Sequence, residues 1–223
     1  MFDALDAGLL NIIITTMKVT LPSSAISAVL GTALGLLLEG SQFYGKRIIV
    51  RINRTLMGSP PVVVGLVCYL LFMRKGVFGF MDILFSVKAM VVAQVMIITP
   101  IISGMVYSSA ERNAPNIRSF AHTMGASAGQ TRLLLIKELK NEVYFAAISG
   151  FGRAISEVGA VMIVGGNIRG KTRTMTTAIT LLRNQGNYSE AIYLGCVLMA
   201  IALCVQLVAD NLKGKEAVGD DNY

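Results

Sequence analysis

Phe85-Ser-Val-Lys-Ala-Met-Val-Val-Ala-Gln-Val-Met-Ile-Ile-Thr-Pro-Ile-Ile-Ser-Gly-Met-Val-Tyr107 holds a single charged residue, Lys88. A helix rises ~1.5 Å per residue and a bilayer core is ~30 Å thick, so about 20 such residues cross it. Four more blocks pass the same test: residues 17–38, with an apolar lead-in from Leu9, then 56–73, 143–165 and 191–212. These blocks are about twice as long as a membrane barrel strand, and none alternates with period two. The expectation is an all-α membrane protein of five transmembrane helices over 17–212, with a polar tail over 213–223. Backbone in lipid must satisfy its own hydrogen bonds, which leaves helices as the solution.

The rest of the chain agrees. Of 223 residues, 54% are hydrophobic and only 15% are charged, with mean hydropathy +0.63. Soluble domains carry about 25% charged residues. The net charge of +7 would raise nucleic-acid binding in a soluble protein. Here the basic residues lie mainly between apolar blocks, with no aromatic-interleaved basic patch, so nucleic acid is not expected as a partner. Cys68, Cys196 and Cys204 sit inside apolar blocks and read as packing residues. His122 is the only histidine, which removes a histidine-cluster metal site; it falls in a connector with no paired nucleophile signal nearby, so no Ser-His-Asp set is placeable. The N-terminal stretch carries Asp3 and Asp6 in place of a basic n-region, so it does not read as a cleavable signal.

Loop charge sets the orientation. Lys46, Arg47, Arg51, Arg54, Arg112, Arg118, Arg132, Lys137, Lys140, Lys213 and Lys215 fall on one side. Lys18, Arg74, Lys75, Lys88, Arg169, Lys171, Arg173 and Arg183 fall on the other. The majority side is read as cytoplasmic, which puts the N-terminus outside and the C-terminus inside. Small residues recur every fourth position at Ser23, Ser27, Gly31 and Gly35, and again at Ala146, Gly150 and Ala154. Such rows let helix backbones approach closely. Pro22, Pro60, Pro61 and Pro100 are expected to mark span ends or kinks.

The connector from Ser108 to Asn141 is too long for a turn. Its middle reads Ser119-Phe-Ala-His-Thr-Met-Gly125-Ala-Ser-Ala-Gly-Gln-Thr-Arg132-Leu-Leu-Leu135. The pattern suggests a short amphipathic helix under the membrane, seated by small residues against a partner; a plain connecting loop is the alternative. This segment, 119–138, resembles the EAA loop of ABC-importer permeases. Ala121 matches the third motif position, Gly125 the glycine, Ala126-Ser127 the residues after it, and Leu135 the later apolar position. Ser119-Phe120 stand where Glu-Ala is usual, and Lys137-Glu138 where Leu-Pro is usual. The stretch from Arg153 through Ser156, Glu157, Gly159, Gly165, Gly166 and Asn167 to Thr172, Arg173, Thr174 and Thr177 is similar to the tungstate/molybdate/sulfate branch, most of all to tungstate permeases.

The resemblance implies a non-catalytic membrane subunit of a type I importer in a bacterial or archaeal-type inner membrane. Its implied partners are a second copy of itself, a cytoplasmic ABC ATPase dimer that holds ATP and Mg, and an extracytoplasmic oxyanion-binding protein. No cofactor or metal is expected on this chain. The cargo implied is tungstate, with molybdate or sulfate as alternatives. A secondary carrier or membrane scaffold without an ATPase is the alternative of another class, but five spans without a repeat are too few for an inverted-repeat carrier. Ala121, Gly125, Ala126 and Ser127 are the expected coupling contacts.

In the fourth block Arg153 and Glu157 are four apart, hence on one helix face with Ser156 close by. A charge at the bilayer centre costs ~2.5–3.5 kcal/mol on insertion scales. The pair, with Ser156 and Gly159, reads as a gate or pathway element, or equally as an ion pair that fixes packing. Glu157 would repel an anion and is not taken as its ligand. Beyond the block, Arg169, Lys171, Thr172 and Arg173 would steer a dianion, contact the binding protein, or simply be solvated. Gly165-Gly-Asn-Ile-Arg-Gly-Lys-Thr172 also matches the P-loop pattern G-x-x-x-x-G-K-[ST]. Its placement after a membrane span and outside the cell argues against nucleotide binding.

Overall fold

The computed structural model describes residues 2–220, and the side chains of residues 8–211. Helices are the only regular structure among the described residues, in the order α1 (Phe2–Gly40), α2 (Lys46–Met57), α3 (Pro61–Phe72), a 3₁₀ turn at Gly79–Met81, α4 (Val87–Thr123), α5 (Ala128–Glu138), α6 (Lys140–Ile155), α7 (Gly159–Gly165), α8 (Met175–Asn184) and α9 (Tyr188–Asp220). The side chains of the tail from Lys213 onward, and all of 221–223, lie outside the described residues.

Three helical stretches are long and apolar enough to cross a bilayer: Gly8–Gly40, Val87–Thr123 and Tyr188–Asn211. The other two expected spans are interrupted. The block 56–73 yields only the 12-residue α3, ~18 Å long and short of the ~30 Å needed. It meets α2 at 103°. Pro60 and Pro61 dictate that corner, since a residue before proline is pushed out of the helical region and Pro60 is extended (φ −63°, ψ 124°). The block 143–165 is broken over Ser156–Val158, with α6 and α7 bent by 58°.

Two further expectations need correction. The third block does not end near Tyr107: α4 runs 37 residues to Thr123, so the first half of the long connector is helix, not loop. Pro22 and Pro100 end nothing, because α1 and α4 pass through them. The Pro100 carbonyl also receives side-chain donors, Asn53 Nδ2 (3.4 Å) and Ser103 Oγ (3.2 Å).

α4 is the central element, with 56% of its apolar window buried against 6% for α9. α1 lies along it, and the small-residue row is the reason. Ser23, Ser27, Gly31 and Gly35 are all buried. A Cβ on Gly31 would come within 2.7 Å of Ile102, and one on Gly35 within 2.8 Å of the Ser103 carbonyl. Ala146, Gly150 and Ala154 of α6 pack on α4 in the same way, as expected. The outward surface is apolar over most of its length, with Val29, Leu34 and Leu37 on α1 and Ile192, Met199, Leu203 and Leu207 on α9 exposed.

Candidate functional site

The polar features gather at three helix interruptions. The first is the turn between α4 and α5. Glu39 at the end of α1 receives Arg118 at 2.7 Å, and the carboxylate is only 8% exposed, so the extension of α4 is tied to α1. α4 stops at Met124, and Gly125 adopts φ +71°, a left-handed conformation that side-chain-bearing residues resist. The Ala126 N–H then donates to the Ala121 carbonyl at 2.9 Å. Ser127 caps α5 in a capping box with Gln130. Leu135 and Leu139 anchor α5 against Ala110 and Ala114 of α4. Gly125 and Ser127 are exposed and Ala126 is partly so, but Ala121 is 1% exposed and packs inward, so it offers no docking surface. The exposed apolar residues around the turn are Phe120 and Met124, with Leu133 on α5. Sequence reasoning had passed over them in favour of the small residues.

The second interruption is the α6–α7 break. Arg153 lies in the last turn of α6 and its Nη2 lies 3.1 Å from Glu157 Oε2, as the four-residue spacing suggests. Glu157 does not continue that helix, however. It sits in the break, and its Oε1 accepts the Ala160 N–H at 3.0 Å, capping α7. Its backbone carbonyl accepts Thr176 Oγ1 at 2.8 Å, which pins the start of α8 to the break. Ser156 is exposed, and its hydroxyl returns to the Gly152 and Arg153 carbonyls. The Glu157 side chain is 3% exposed and that of Arg153 34%, so a buried carboxylate is paired with a cation that still reaches the surface. α3 closes on this region: a Cβ on Gly159 would meet Val62 at 2.7 Å, and one on Gly65 would meet the Ala160 Cα at 2.6 Å.

The third interruption is the loop from Gly165 to Thr174. Thr172 is 1% exposed; its hydroxyl donates to the Gly165 carbonyl (2.6 Å) and accepts the Ile168 N–H (3.0 Å). It therefore caps the end of α7 and is not available to an anion. The N–H groups of Lys171, Thr172 and Arg173 all turn onto the Ile168 carbonyl. A phosphate cradle needs such groups directed outward, so this P-loop look-alike is a helix-ending loop. Arg169 and Lys171 are exposed. Arg173 is held by Asn167 through Oδ1 (3.2 Å) and the carbonyl (3.3 Å). With Asn11, Thr15 and Leu9 of α1, Arg169 and Arg173 line a cavity of about 760 Å³.

A buried threonine cluster was also missed in its role. Thr174 caps α8 in a capping box with Thr177, and the Met175 N–H donates to Thr16 of α1 at 2.9 Å. The spacing of hydroxyls before an apolar run carried that signal. Gln94, 3% exposed within α4, was passed over as one amide in an apolar block.

Among known proteins, residues 29–214 match the model of the family described as binding-protein-dependent transport system inner membrane component. The tungstate uptake system permease protein of Peptoclostridium acidaminophilum is 39% identical over 208 residues, covering 93% of this chain and 91% of that protein. A probable anion ABC transporter permease protein of Haloferax volcanii is 34% identical, covering 93% and 91%. A sulfate transport system permease protein of Synechocystis is 28% identical, covering 89% and 75%.

Proposed function

The chain belongs to the binding-protein-dependent inner membrane transport components, and from that premise we propose that it is the membrane-spanning subunit of an ATP-driven oxyanion importer whose cargo is tungstate. One observation carries the cargo: 39% identity to a tungstate uptake permease across 93% of the chain. The relationship to a sulfate permease at 28% supports the wider oxyanion class and makes sulfate the competing cargo, with molybdate beside it.

In this reading the bent pairs α2–α3 and α6–α7 each count as one span, giving five, with the basic residues of α2 at the cytoplasmic surface. The basic majority keeps the α4–α5 turn and the C-terminus cytoplasmic, with the N-terminus outside. Two copies form the pathway. A separate ATPase pair, holding ATP and Mg, docks on the turn at Gly125, Ala126 and Ser127, with Phe120 and Met124 as apolar contacts. α5 then carries the motion to α4, on which it is anchored. The α6–α7 break is the gate: Arg153 and Glu157 fix its two arms, Ser156 faces the pathway, and Gly159 lets α3 approach. An external binding protein delivers the anion, and Arg169, Lys171 and Arg173 raise its local concentration at the mouth. The subunit does no covalent chemistry; it alternates between two accessible states that ATP closure of its partners biases.

The test is reconstitution in proteoliposomes with a partner ATPase and an oxyanion-binding protein. Uptake of tungstate that requires ATP, and that tungstate competes better than molybdate or sulfate, is the expected result. Transport by the chain without an ATPase would refute the importer reading, and preferential competition by sulfate would reassign the cargo.

A further inference from the structure

Gln94 lies between Ala93 and Val95 in the apolar core of α4 and joins three helices. Its Nε2 donates to the Ala154 carbonyl of α6 at 3.0 Å. Its Oε1 accepts the hydroxyl of Ser23 on α1 at 2.5 Å. A carbonyl can only accept, so the contact with Ala154 fixes which way the amide is turned. Gln94 and Ser23 are 3% and 0% exposed. A primary amide in such surroundings is costly unless its hydrogen bonds are made.

The acceptor that Gln94 uses is significant. Ala154 is two residues before the break, and in an unbroken helix its carbonyl would take the N–H of Val158. In the broken form it receives the Glu157 N–H in a tighter 3.2 Å turn and, from the side, Gln94. We propose that Gln94 is a positioning residue of the gate: it gives the Ala154 carbonyl a side-on donor where the break has removed the Val158 N–H, stabilises α6–α7 in the bent form, and so sets where Arg153 and Glu157 stand. Straightening the pair returns that carbonyl to the Val158 N–H, so the Gln94 donor stabilises the bent form more than the straight one. Ser23 holds the amide in place and thereby makes α1 part of the same device. This inference rests on the break being the gate, and its test separates the two.

The variant Gln94→Met keeps length and bulk and removes the donor. Spin labels at Phe145→Cys and Ile163→Cys, with Cys68, Cys196 and Cys204 replaced by alanine, report the bend within one chain. Arms of ~18 Å and ~9 Å meeting at the observed 58° give about 24 Å, and a straight helix gives about 27 Å. Gln94→Met is expected to raise the population of the long distance about fivefold and to raise ATP hydrolysis without substrate in the assembled transporter. Ser23→Ala, which leaves the donor in place, is expected to shift the same population about twofold, and it decides the matter if Gln94→Met does not fold. A lower stability with an unchanged distance distribution in either variant overturns the proposal and leaves Gln94 as packing. A shifted distribution with unchanged hydrolysis and uptake keeps the latch and rejects the break as the gate.

Discussion

Glu157→Gln removes one negative charge from a site where the carboxylate has two separate jobs. One oxygen caps α7 through Ala160, and the other holds Arg153 at 3.1 Å. Glutamine keeps an acceptor for the cap and loses only the ion pair. Deleting one partner of a fully buried pair costs about 3–5 kcal/mol. Arg153, however, is 34% exposed and can recover water, so the expected loss is about 1–3 kcal/mol. For a chain of this length each kcal/mol moves the melting temperature by about 2–4 °C, which predicts a drop of about 5 °C in detergent. A purely structural pair would show that drop with normal uptake per assembled transporter. A gate would show the same drop and a loss of uptake beyond the loss of assembled protein. Arg153→Met should be worse than Glu157→Gln, because it leaves the 3%-exposed carboxylate without its cation, and the double variant should recover part of that cost. Unchanged melting and unchanged uptake in Glu157→Gln would refute the claim that this pair is energetically engaged.

Gly125→Asn is expected to keep ATPase co-purification, because asparagine tolerates the left-handed region, whereas Gly125→Val is expected to lose it, at a backbone cost of about 1–2 kcal/mol; open space surrounds this glycine, so equal behaviour of the two would show that conformation is not the constraint. Gly65→Ala should destabilise the α3–α7 contact by about 1–3 kcal/mol, since its Cβ would lie 2.6 Å from the Ala160 Cα, and thermal unfolding checks it. Thr172→Val should cost about 1–3 kcal/mol by leaving the Gly165 carbonyl and Ile168 N–H without their partner, and should leave the KM for uptake unchanged if the residue is a cap and not an anion ligand. Neutralising Arg169, Lys171 and Arg173 together should lower uptake at limiting substrate and less so at saturation; equal uptake at both would end the steering idea.

The sequence made the membrane class and the five apolar blocks legible because hydropathy is a property summed over about 20 residues. The same summation hides interruptions. Ile155 beside the α6–α7 break and Val158 within it keep the running average high, so a block of ample length conceals a 58° bend. The α2–α3 corner is hidden in a different way. Ile48, Ile49, Ile52 and Leu56 alternate with Arg47, Arg51 and Arg54 at helical spacing, a signal of an amphipathic helix, but the basic residues alone were read, as a connector. The continuation of α4 to Thr123 escaped for the opposite reason, since Ser108–Thr123 is too polar for a span yet wholly compatible with a helix that has left the bilayer. Gly125 was singled out as the motif glycine and a small contact residue; its left-handed conformation is what the structure adds. Thr172 was misread because a hydroxyl beside basic residues looks the same in sequence whether it faces an anion or a carbonyl.

The residues that carry the family resemblance stand at helix interruptions, and that position supplies a physical reason for most of them. A helix end leaves backbone groups without partners in the helix, and where water cannot reach them something local must satisfy them. Ser127 does so for α5, Thr174 for α8, and Thr172 for the end of α7. Each is neutral, which shows that a hydroxyl suffices for the task. Glu157 performs the same task for α7 with a group that costs far more to bury. Capping alone does not call for that charge, whereas Arg153, one turn earlier on the other arm of the break, does. The charge at Glu157 is therefore the feature that helix termination leaves unexplained, and it is the feature on which the proposed gate at the α6–α7 break depends.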